Sequence, residues 1–194
     1  MSDPHSRKVG CIRPKRTILL MVEGDSEEVY FGRVARISDK YSIITKVSKD
    51  KRCEDIIRNC SEAAVRLGLD EDDPRVAVFD LDVVEREELD RAVALAREKR
   101  VILMASNLSF EIWLLMHMGD VSKVYTQEDY EDRLSSMLGS RYRKSRGLKD
   151  KVNAESIKDA IRRGKKSLPD ADPLTCLMTP NSSTFWDLLE DIMG

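Results

Sequence analysis

The chain of 194 residues contains few of the residues that build zinc centres and disulfide frameworks. It has four cysteines and two histidines, and no two cysteines have the CxxC spacing. Structural zinc sites need four closely spaced Cys or His ligands, so we expect none here. Cys53 and Cys60 lie seven residues apart in a helical pattern, and we expect Cys60 to be buried in the core. This cysteine usage fits a reducing cytoplasm.

Long apolar runs are missing too. No run approaches the ~20 apolar residues that a membrane-spanning helix needs. The first 16 residues, MSDPHSRKVGCIRPKR, are polar and basic and lack the apolar segment of a secretory signal. We therefore expect a cytoplasmic protein that does not enter a membrane, with a flexible tail over residues 1–15.

Charge is nearly balanced overall but unevenly distributed along the chain. The net charge of -2 indicates nothing about binding partners. From Asp70 to Glu98 there are 11 acidic and 4 basic residues, whereas from Arg141 to Lys166 there are 11 basic and 3 acidic residues. Such asymmetry is compatible with solvated helix faces, with nucleic-acid binding, or with docking to an acidic partner.

Four short apolar runs predict strands, and amphipathic segments between them predict helices. The strands are expected at 16–22, 41–47, 75–82 and 100–106, and the helices at 26–37, 52–67, 84–99 and from about 108. The runs are continuous rather than alternating, which is typical of a parallel sheet covered on both faces. We therefore predict an α/β core over 16–120, with a largely parallel four-stranded sheet and helices on both faces.

Beyond residue 120 the pattern is mostly helical. Helices are predicted at about 127–138, 153–164 and 182–193, with a proline-punctuated loop at 168–182. We expect residues 121–194 to form a helical part that packs on the core.

Acidic residues follow the predicted strands. Glu23 comes directly after the first strand, Asp80 and Asp82 end the third, and Glu111 opens the helix after the fourth. The carboxyl ends of parallel strands meet at one edge of the sheet, where α/β proteins bind ligands. Carboxylate oxygens suit hard divalent cations, so this edge is a candidate site for Mg²⁺ or Mn²⁺. Gly24 would let the chain turn sharply and a ligand approach closely.

Each acid also has an ordinary explanation. Glu23 could belong to a simple strand-to-helix turn, Asp80 and Asp82 to a turn or cap, and Glu111 to a favourable helix dipole. The coincidence of all of them at one edge is the stronger argument. Neighbouring Asp25, Ser26, Glu27 and Glu28 are sufficiently explained as the cap and solvated first turn of the next helix.

Three stretches carry a family resemblance. ILLMVEGDSEEVYF and VAVFDLD, with their glutamate-glycine and DxD motifs, resemble the Toprim domain of topoisomerases, primases and OLD-type nucleases. SNLSFEIWLLMHM resembles the Asn-(Pro)-x-Phe-Glu-x-Trp stretch of the RloB-like family, and SRYRKS resembles its downstream basic-aromatic segment. Two departures stand out: Leu108 occupies the position of the proline, and Asp82 is followed by Val83 and Val84 rather than by a polar residue.

The resemblance implies a Toprim-like fold and metal-assisted cleavage of a phosphodiester in DNA or RNA, in phage defence beside an ABC-class ATPase. By this resemblance Asp80 and Asp82 would hold the metal. Glu23 would be a ligand or the general acid/base, and Glu111 would be a further ligand or would orient one. Asn107 is a further candidate from the same motif.

The basic segment adds a candidate nucleic-acid surface. Arg141, Arg143, Lys144 and Arg146 could contact phosphates, and Tyr142 between them could stack on unpaired bases.

Trp113 and His117 follow Glu111 in the same predicted helix. His117 lies on an apolar stripe with Phe110 and Leu114, which favours a packed, hydrogen-bonded histidine over a site role. Trp113 is expected in the core.

Two other functions stay open. A Toprim-like fold could serve as a non-catalytic docking subunit for the ATPase. VAVFDLDVV also resembles the haloacid-dehalogenase phosphatase motif, in which Asp80 would be the nucleophile and Asp82 the general acid. That motif normally opens the first strand of its fold, and it leaves VEG unexplained.

Overall fold

The protein folds around a single parallel sheet. The computed structural model describes residues 15–121, 126–146, 148 and 151–194; the predicted tail falls, apart from Lys15, outside them. The strands are β1 (Arg16–Val22), β2 (Tyr41–Val47), β3 (Arg75–Asp80) and β4 (Ile102–Ser106). They pair in the order β2-β1-β3-β4, and every pair is parallel. The predicted α/β architecture is confirmed.

Both faces of the sheet are buried because successive side chains of a strand point to opposite faces. In β1, Ile18, Leu20 and Val22 belong to one apolar cluster. Leu19 and Met21 of the same strand belong to a second cluster on the other face. A strand buried on both sides needs a continuous apolar run, which is why TILLMV has one.

Helices cover the two faces unequally. The first cluster packs against α1 (Asp25–Ile37), α4 (Glu111–Met116), α5 (Gln127–Leu138), α6 (Ala154–Ser167) and α8 (Phe185–Met193). The second packs against α2 (Cys53–Leu67), α3 (Arg86–Lys99) and the short α7 (Pro173–Met178). A single 3₁₀ turn, Lys144–Arg146, follows α5. Helices of the 121–194 part therefore contribute to both layers of the core.

The C-terminal helices are anchored by close contacts. Trp186 donates its indole N–H to the Leu168 carbonyl at 2.9 Å. A Cβ at Gly164 would stand 3.1 Å from the Trp186 side chain and 3.2 Å from Trp113, so glycine allows α6 to lie directly against both rings. Trp113 is fully buried, as predicted.

Several predicted boundaries are wrong. The third strand ends at Asp80 rather than at residue 82. The helix expected from about 108 begins at Glu111, because Leu108 has a φ of 70° and interrupts a right-handed helix. Neither Asp25 nor Ser26 caps α1, whose N-cap is Gly24 without a side-chain hydrogen bond.

The predicted loop at 168–182 contains a helix that the sequence analysis missed. Asp172 caps α7 by accepting a hydrogen bond from the Thr175 N–H at 2.8 Å, and Pro173 occupies its first position. Proline is well suited to that position because the missing N–H has no helical partner there.

Cys53, Cys60 and Cys176 are buried free thiols, which confirms the prediction for Cys60. Among the described helices, none has the length and apolar character required to cross a membrane.

Candidate acidic site

A cavity of about 310 Å³ opens at the carboxyl edge of the sheet. It is lined by Glu23, Gly24, Asp25, Ser26, Glu27, Lys51, Asp80, Phe110, Glu111 and Lys144. The structure therefore brings three of the sequence-predicted acids together, namely Glu23, Asp80 and Glu111. The parallel sheet causes this convergence, because β1 and β3 are neighbours and both end at this edge.

Glu23 is the first residue after β1 and is half-buried. Its Oε2 accepts a hydrogen bond from the Asp80 backbone N–H at 3.2 Å. Its backbone carbonyl accepts a hydrogen bond from the Lys51 ammonium. Glu23 thus connects the ends of β1 and β3 with the loop that follows β2.

Asp80 ends β3 in an environment that opposes its charge. Burial raises the pKa of its carboxyl well above the ordinary value, and the charges of Glu27, Glu23, Glu111 and Asp82 raise it further, in that order. Like charges in one poorly solvated site disfavour each other's ionised forms. Acids outnumber cations in the wall of this cavity, and a bound cation would favour their ionised forms.

Glu27 is a site residue that the sequence analysis missed. It is 5 % exposed, so the expectation of a solvated first-turn residue was wrong. Burial raises its pKa to about 7; the neighbouring charges of Glu23 and Glu111 act in the same direction. A signal was available, since Glu27 lies three, four and seven residues before the buried Tyr30, Phe31 and Val34 of the same helix.

Glu111 is held by neutral donors. It is 1 % exposed, and its Oε1 accepts hydrogen bonds from the Tyr142 hydroxyl at 3.1 Å and from the Ser26 hydroxyl at 3.4 Å. The Lys144 ammonium lies 3.7 Å from the same oxygen. Tyr142 is itself only 5 % exposed, so the expectation that its ring stacks on bases was wrong. Its hydroxyl orients Glu111 instead.

The basic stretch divides into two parts with different surroundings. Lys144 lines the wall of the cavity, and Arg141, Arg143 and Arg146, which are near it in sequence, are exposed.

In α6, by contrast, the cations pair with nearby acids. Arg162 lies 2.9 Å from Asp159, Arg163 lies 3.2 Å from Asp120, and Lys165 lies 2.5 Å from Glu190. Among the described residues of this stretch, Lys144 alone lines the acidic cavity.

Two predicted residues lie near the cavity in ways that differ from expectation. Asp82 is exposed and does not line the cavity, although its charge acts on Asp80. Gly24 has an extended backbone with φ of -155°, so no special turn requires glycine there. A Cβ at Gly24 would stand 3.4 Å from Glu27 Oε2, which is an ordinary contact, so the space there does not require glycine either.

Asn107 lies outside the cavity wall. Its side-chain amide donates to the carbonyls of Cys176 and Leu177 at 2.8 and 2.9 Å, which fixes the end of α7 against β4.

His117 is packed in the core, 5 % exposed. Its Nδ1 lies 3.2 Å from the Ser156 hydroxyl and its Nε2 lies 3.1 Å from the Tyr30 hydroxyl. Burial, reinforced by the charge of Arg163, lowers its pKa to about 3.

The chemistry of the cavity suits a hard divalent cation, because its acidic side chains offer oxygen ligands and outnumber the two lysines in its wall. Across the described ranges, no three His, Cys, Asp or Glu side chains already form a set that could hold a metal ion. Glu23 and Glu111 direct oxygens to protein donors instead. The residues therefore fit the ion in type, and coordination requires these side chains to turn toward the cavity.

Fold and site together define a parallel α/β protein with an acidic, lysine-flanked pocket at the carboxyl edge of its sheet. The family model described as RloB-like protein matches residues 18–192, and the chain belongs to that family. No curated protein and no solved structure matches the chain.

Proposed function

We propose that the protein is a metal-dependent phosphodiesterase that cleaves nucleic acid. The observation that carries the proposal is the convergence of Glu23, Glu27, Asp80 and Glu111 on one cavity. Burying carboxylates together costs free energy, and a bound cation offsets that cost. Lysines on the same wall suit a phosphate-bearing substrate.

Four of the cavity acids, Glu23, Glu27, Asp80 and Glu111, are the proposed ligands of Mg²⁺ or Mn²⁺. Exposed Asp82 is a candidate ligand from the solvent side. When bound, the ion would withdraw charge from the scissile phosphate and lower the pKa of a water. Glu23, which hydrogen-bonds the end of β3, is either a ligand or the group that takes the proton of the attacking water.

The surrounding residues position these groups. Tyr142 and Ser26 hold Glu111 in the cavity wall through their hydroxyls. Lys144, 3.7 Å from Glu111, places a positive charge where a phosphate oxygen would enter. Exposed Arg141 and Arg143 extend that positive surface away from the cavity and would bind the adjoining phosphates of DNA or RNA.

Family membership supports two further proposals. Resemblance to the RloB-like family favours a role in phage defence, with an ABC-class ATPase as partner. Either the ATPase activates the nuclease, or the protein acts by docking alone.

The decisive experiment compares wild type with Asp80→Ala on single-stranded and double-stranded DNA and RNA, in Mg²⁺ or Mn²⁺. The matched control is Asp90→Ala, which removes an exposed acid of α3 that lies outside the cavity. We expect metal-dependent cleavage by wild type and the control, and none by Asp80→Ala. Metal should also raise the melting temperature of wild type but not of Asp80→Ala.

Cleavage by Asp80→Ala at the wild-type rate would refute the assignment of the site. Absence of both cleavage and a metal-dependent melting shift in wild type, with and without the ATPase, would favour the docking role.

A further inference from the structure

A second and larger cleft lies beside the acidic cavity. Its volume is about 700 Å³, and it is formed by the end of β2, the loop that follows, and one side of α2. It is lined by Met21, Lys46, Val47, Ser48, Lys49, Asp50, Asn59, Glu62, Ala63, Arg66 and Leu67. The loop joins the two sites, since residues 48–50 line the cleft and the next residue, Lys51, lines the acidic cavity.

The cleft presents positive charge to solvent. Lys46 and Lys49 are exposed, and within the described part of the chain neither has an ion-pair partner. Three cations and two acids line the cleft, so positive charge exceeds negative charge by one. Glu62 lies 3.7 Å from Arg66, and Asp50 accepts a hydrogen bond from the Asn59 amide at 3.0 Å. Among the described residues of the cleft, Lys46 and Lys49 are the cations available to an anionic ligand.

The same cleft exposes apolar surface. Val47 is 39 % exposed and Leu67 is 40 % exposed, although most large apolar side chains of the sheet are buried. Cations beside exposed apolar side chains suit a ligand that alternates phosphates with sugars and bases. Neither an isolated phosphate nor a purely apolar ligand would use both features.

The loop that carries these lysines is held in place before any ligand binds. The Ser48 N–H donates to the Val22 carbonyl at 2.8 Å, which ties the loop to the end of β1. The Ser48 hydroxyl accepts hydrogen bonds from the Asn59 amide at 3.1 Å and from the Asp50 N–H at 3.3 Å. A preorganised loop loses little entropy when a ligand binds.

We propose that a single polynucleotide strand runs from the acidic cavity past Lys51 into this cleft, where Lys46 and Lys49 bind its phosphates and Val47 and Leu67 contact a sugar or base. This inference rests on the proposed function, which supplies the polynucleotide. The cleft volume falls in the ~300–1,000 Å³ range that holds small ligands, so it takes one or two nucleotides of a single strand and not a duplex.

The test measures binding without cleavage. Wild type and Lys46→Ala/Lys49→Ala are titrated in EDTA against fluorescein-labelled oligo(dT) and oligo(U) of about 12 nucleotides, a length suited to a single-strand groove. Fluorescence anisotropy is recorded over a series of salt concentrations. The matched control is Arg86→Ala/Arg97→Ala, which removes two exposed cations of α3 that line neither cavity. Circular dichroism confirms that each variant is folded.

Loss of two phosphate contacts should weaken binding on the order of 10-fold at 0.1 M salt and lower the slope of log K against log salt by about 1.4. Lys49→Glu alone should weaken binding because it places a negative charge on the strand's path. The α3 control should bind as wild type does. A duplex of equal length should compete weakly, and its binding should not depend on Lys46 and Lys49.

The outcomes separate this inference from the proposed function. Weakened binding by the double variant supports the proposal that the cleft binds a strand, even if wild type cleaves nothing in Mg²⁺ or Mn²⁺. In that case only the catalytic proposal fails. If the double variant has the wild-type affinity and the wild-type slope of log K against log salt, the proposed strand binding in the cleft is refuted. Cleavage by wild type would then leave the catalytic proposal intact. A wild-type protein that binds neither oligonucleotide, or a duplex that depends equally on both lysines, also overturns the inference.

Discussion

Two places in the molecule hold carboxylates in opposite ways. At the packing of α8 against β2, Asp191 Oδ1 lies 2.5 Å from the Lys40 ammonium, and its Oδ2 accepts a hydrogen bond from the Tyr41 hydroxyl at 2.7 Å. These partners, Lys40 first, lower the pKa of Asp191. At the carboxyl edge of the sheet, burial and neighbouring acids raise the pKa of Asp80 and Glu27.

The difference shows what each carboxylate contributes. A carboxylate with a cation and a hydroxyl at its oxygens ties two elements together and has little capacity left for a ligand. The cavity carboxylates instead surround an open volume without a matching number of cations, which weakens the fold locally. Natural proteins retain such costs chiefly at functional sites.

The largest effect should come from Asp80. Asp80→Asn keeps the shape of the side chain but removes the charge, so nuclease activity should fall by at least about 100-fold, as for loss of a central electrostatic contact. The metal-free variant should melt about 3 °C higher, because it removes the cost of burying the Asp80 charge and the repulsion from neighbouring acids. A gain of about 1 kcal/mol has that effect in a protein of this size. Cleavage assays and metal-free calorimetry measure both. Asp191→Asn is the comparison, and equal losses of activity in the two variants would remove the distinction between the two sites.

His117 extends the comparison to a buried base. Its pKa of about 3 lies below the ordinary 6.5, so the folded state holds it neutral. The stability that comes from a neutral His117 is fully present above pH 6.5 and is lost as the pH falls toward 3. The loss amounts to about 2 kcal/mol at pH 5.

His117→Gln should reduce this acid dependence. The measurement is urea unfolding at a series of pH values, with wild type as reference. If the unfolding free energy of His117→Gln depends on pH as strongly as that of wild type, the dependence comes from other groups and the prediction is contradicted.

A smaller effect should follow from Tyr142→Phe. This change removes the hydroxyl that lies 3.1 Å from Glu111 and keeps the buried ring. Loss of a group that orients a metal ligand typically costs 10–100-fold in metal affinity, and we expect about 10-fold here. Titration of activity against Mg²⁺ concentration should show a higher requirement with a largely retained maximal rate. A fall in the maximal rate alone, with the Mg²⁺ requirement unchanged, would argue that Tyr142 does not position Glu111.

The smallest effect should come from Lys40→Ala. Exposed ion pairs contribute little to stability, so the melting temperature should change by less than about 2 °C. Activity should be unaffected because Lys40 lies outside the acidic cavity. Thermal unfolding at low and high salt measures the change. Cys60→Ser, in the core, is the reference. A larger drop in melting temperature for Lys40→Ala than for Cys60→Ser would contradict the small contribution expected of the Lys40–Asp191 pair.

The sequence was sufficient for the sheet and for part of the acidic edge. Continuous apolar runs identified β1, β3 and β4, because a strand buried on both faces cannot contain polar alternation. The β-branched residues of YSIITKV identified the edge strand β2. Glu23, Asp80 and Glu111 could be placed together because parallel strands end at a common edge.

The remainder depended on contacts that a local pattern does not contain. Glu27 was predicted to be solvated because it lies in the first turn of α1, and its place on the buried face of that helix was overlooked. Lys51 lines the cavity and Tyr142 contacts Glu111 from segments distant in sequence, so no spacing rule connected them with the site. For α7, Asp172 and Pro173 form a helix start. The sequence analysis missed it because proline was taken as a sign of a loop.

Leu108 shows a different limit. The family pattern has proline at this position, but proline holds φ near -65° and the backbone here has φ of 70°. The chain between β4 and α4 therefore follows a path that a proline could not adopt, and a motif comparison alone gives no indication of it.

The strap formed by residues 182–184 has a consequence for synthesis of the chain. Thr184 exchanges hydrogen bonds with Ala105 of β4, 79 positions earlier, and the Ser182 carbonyl accepts from the Asn107 N–H. Since β4 leads directly into the segment that carries Glu111, this edge is secured by residues that leave the ribosome after all four strands have been made. A chain that stops before residue 182 thus lacks the hydrogen bonds that brace this edge of the sheet.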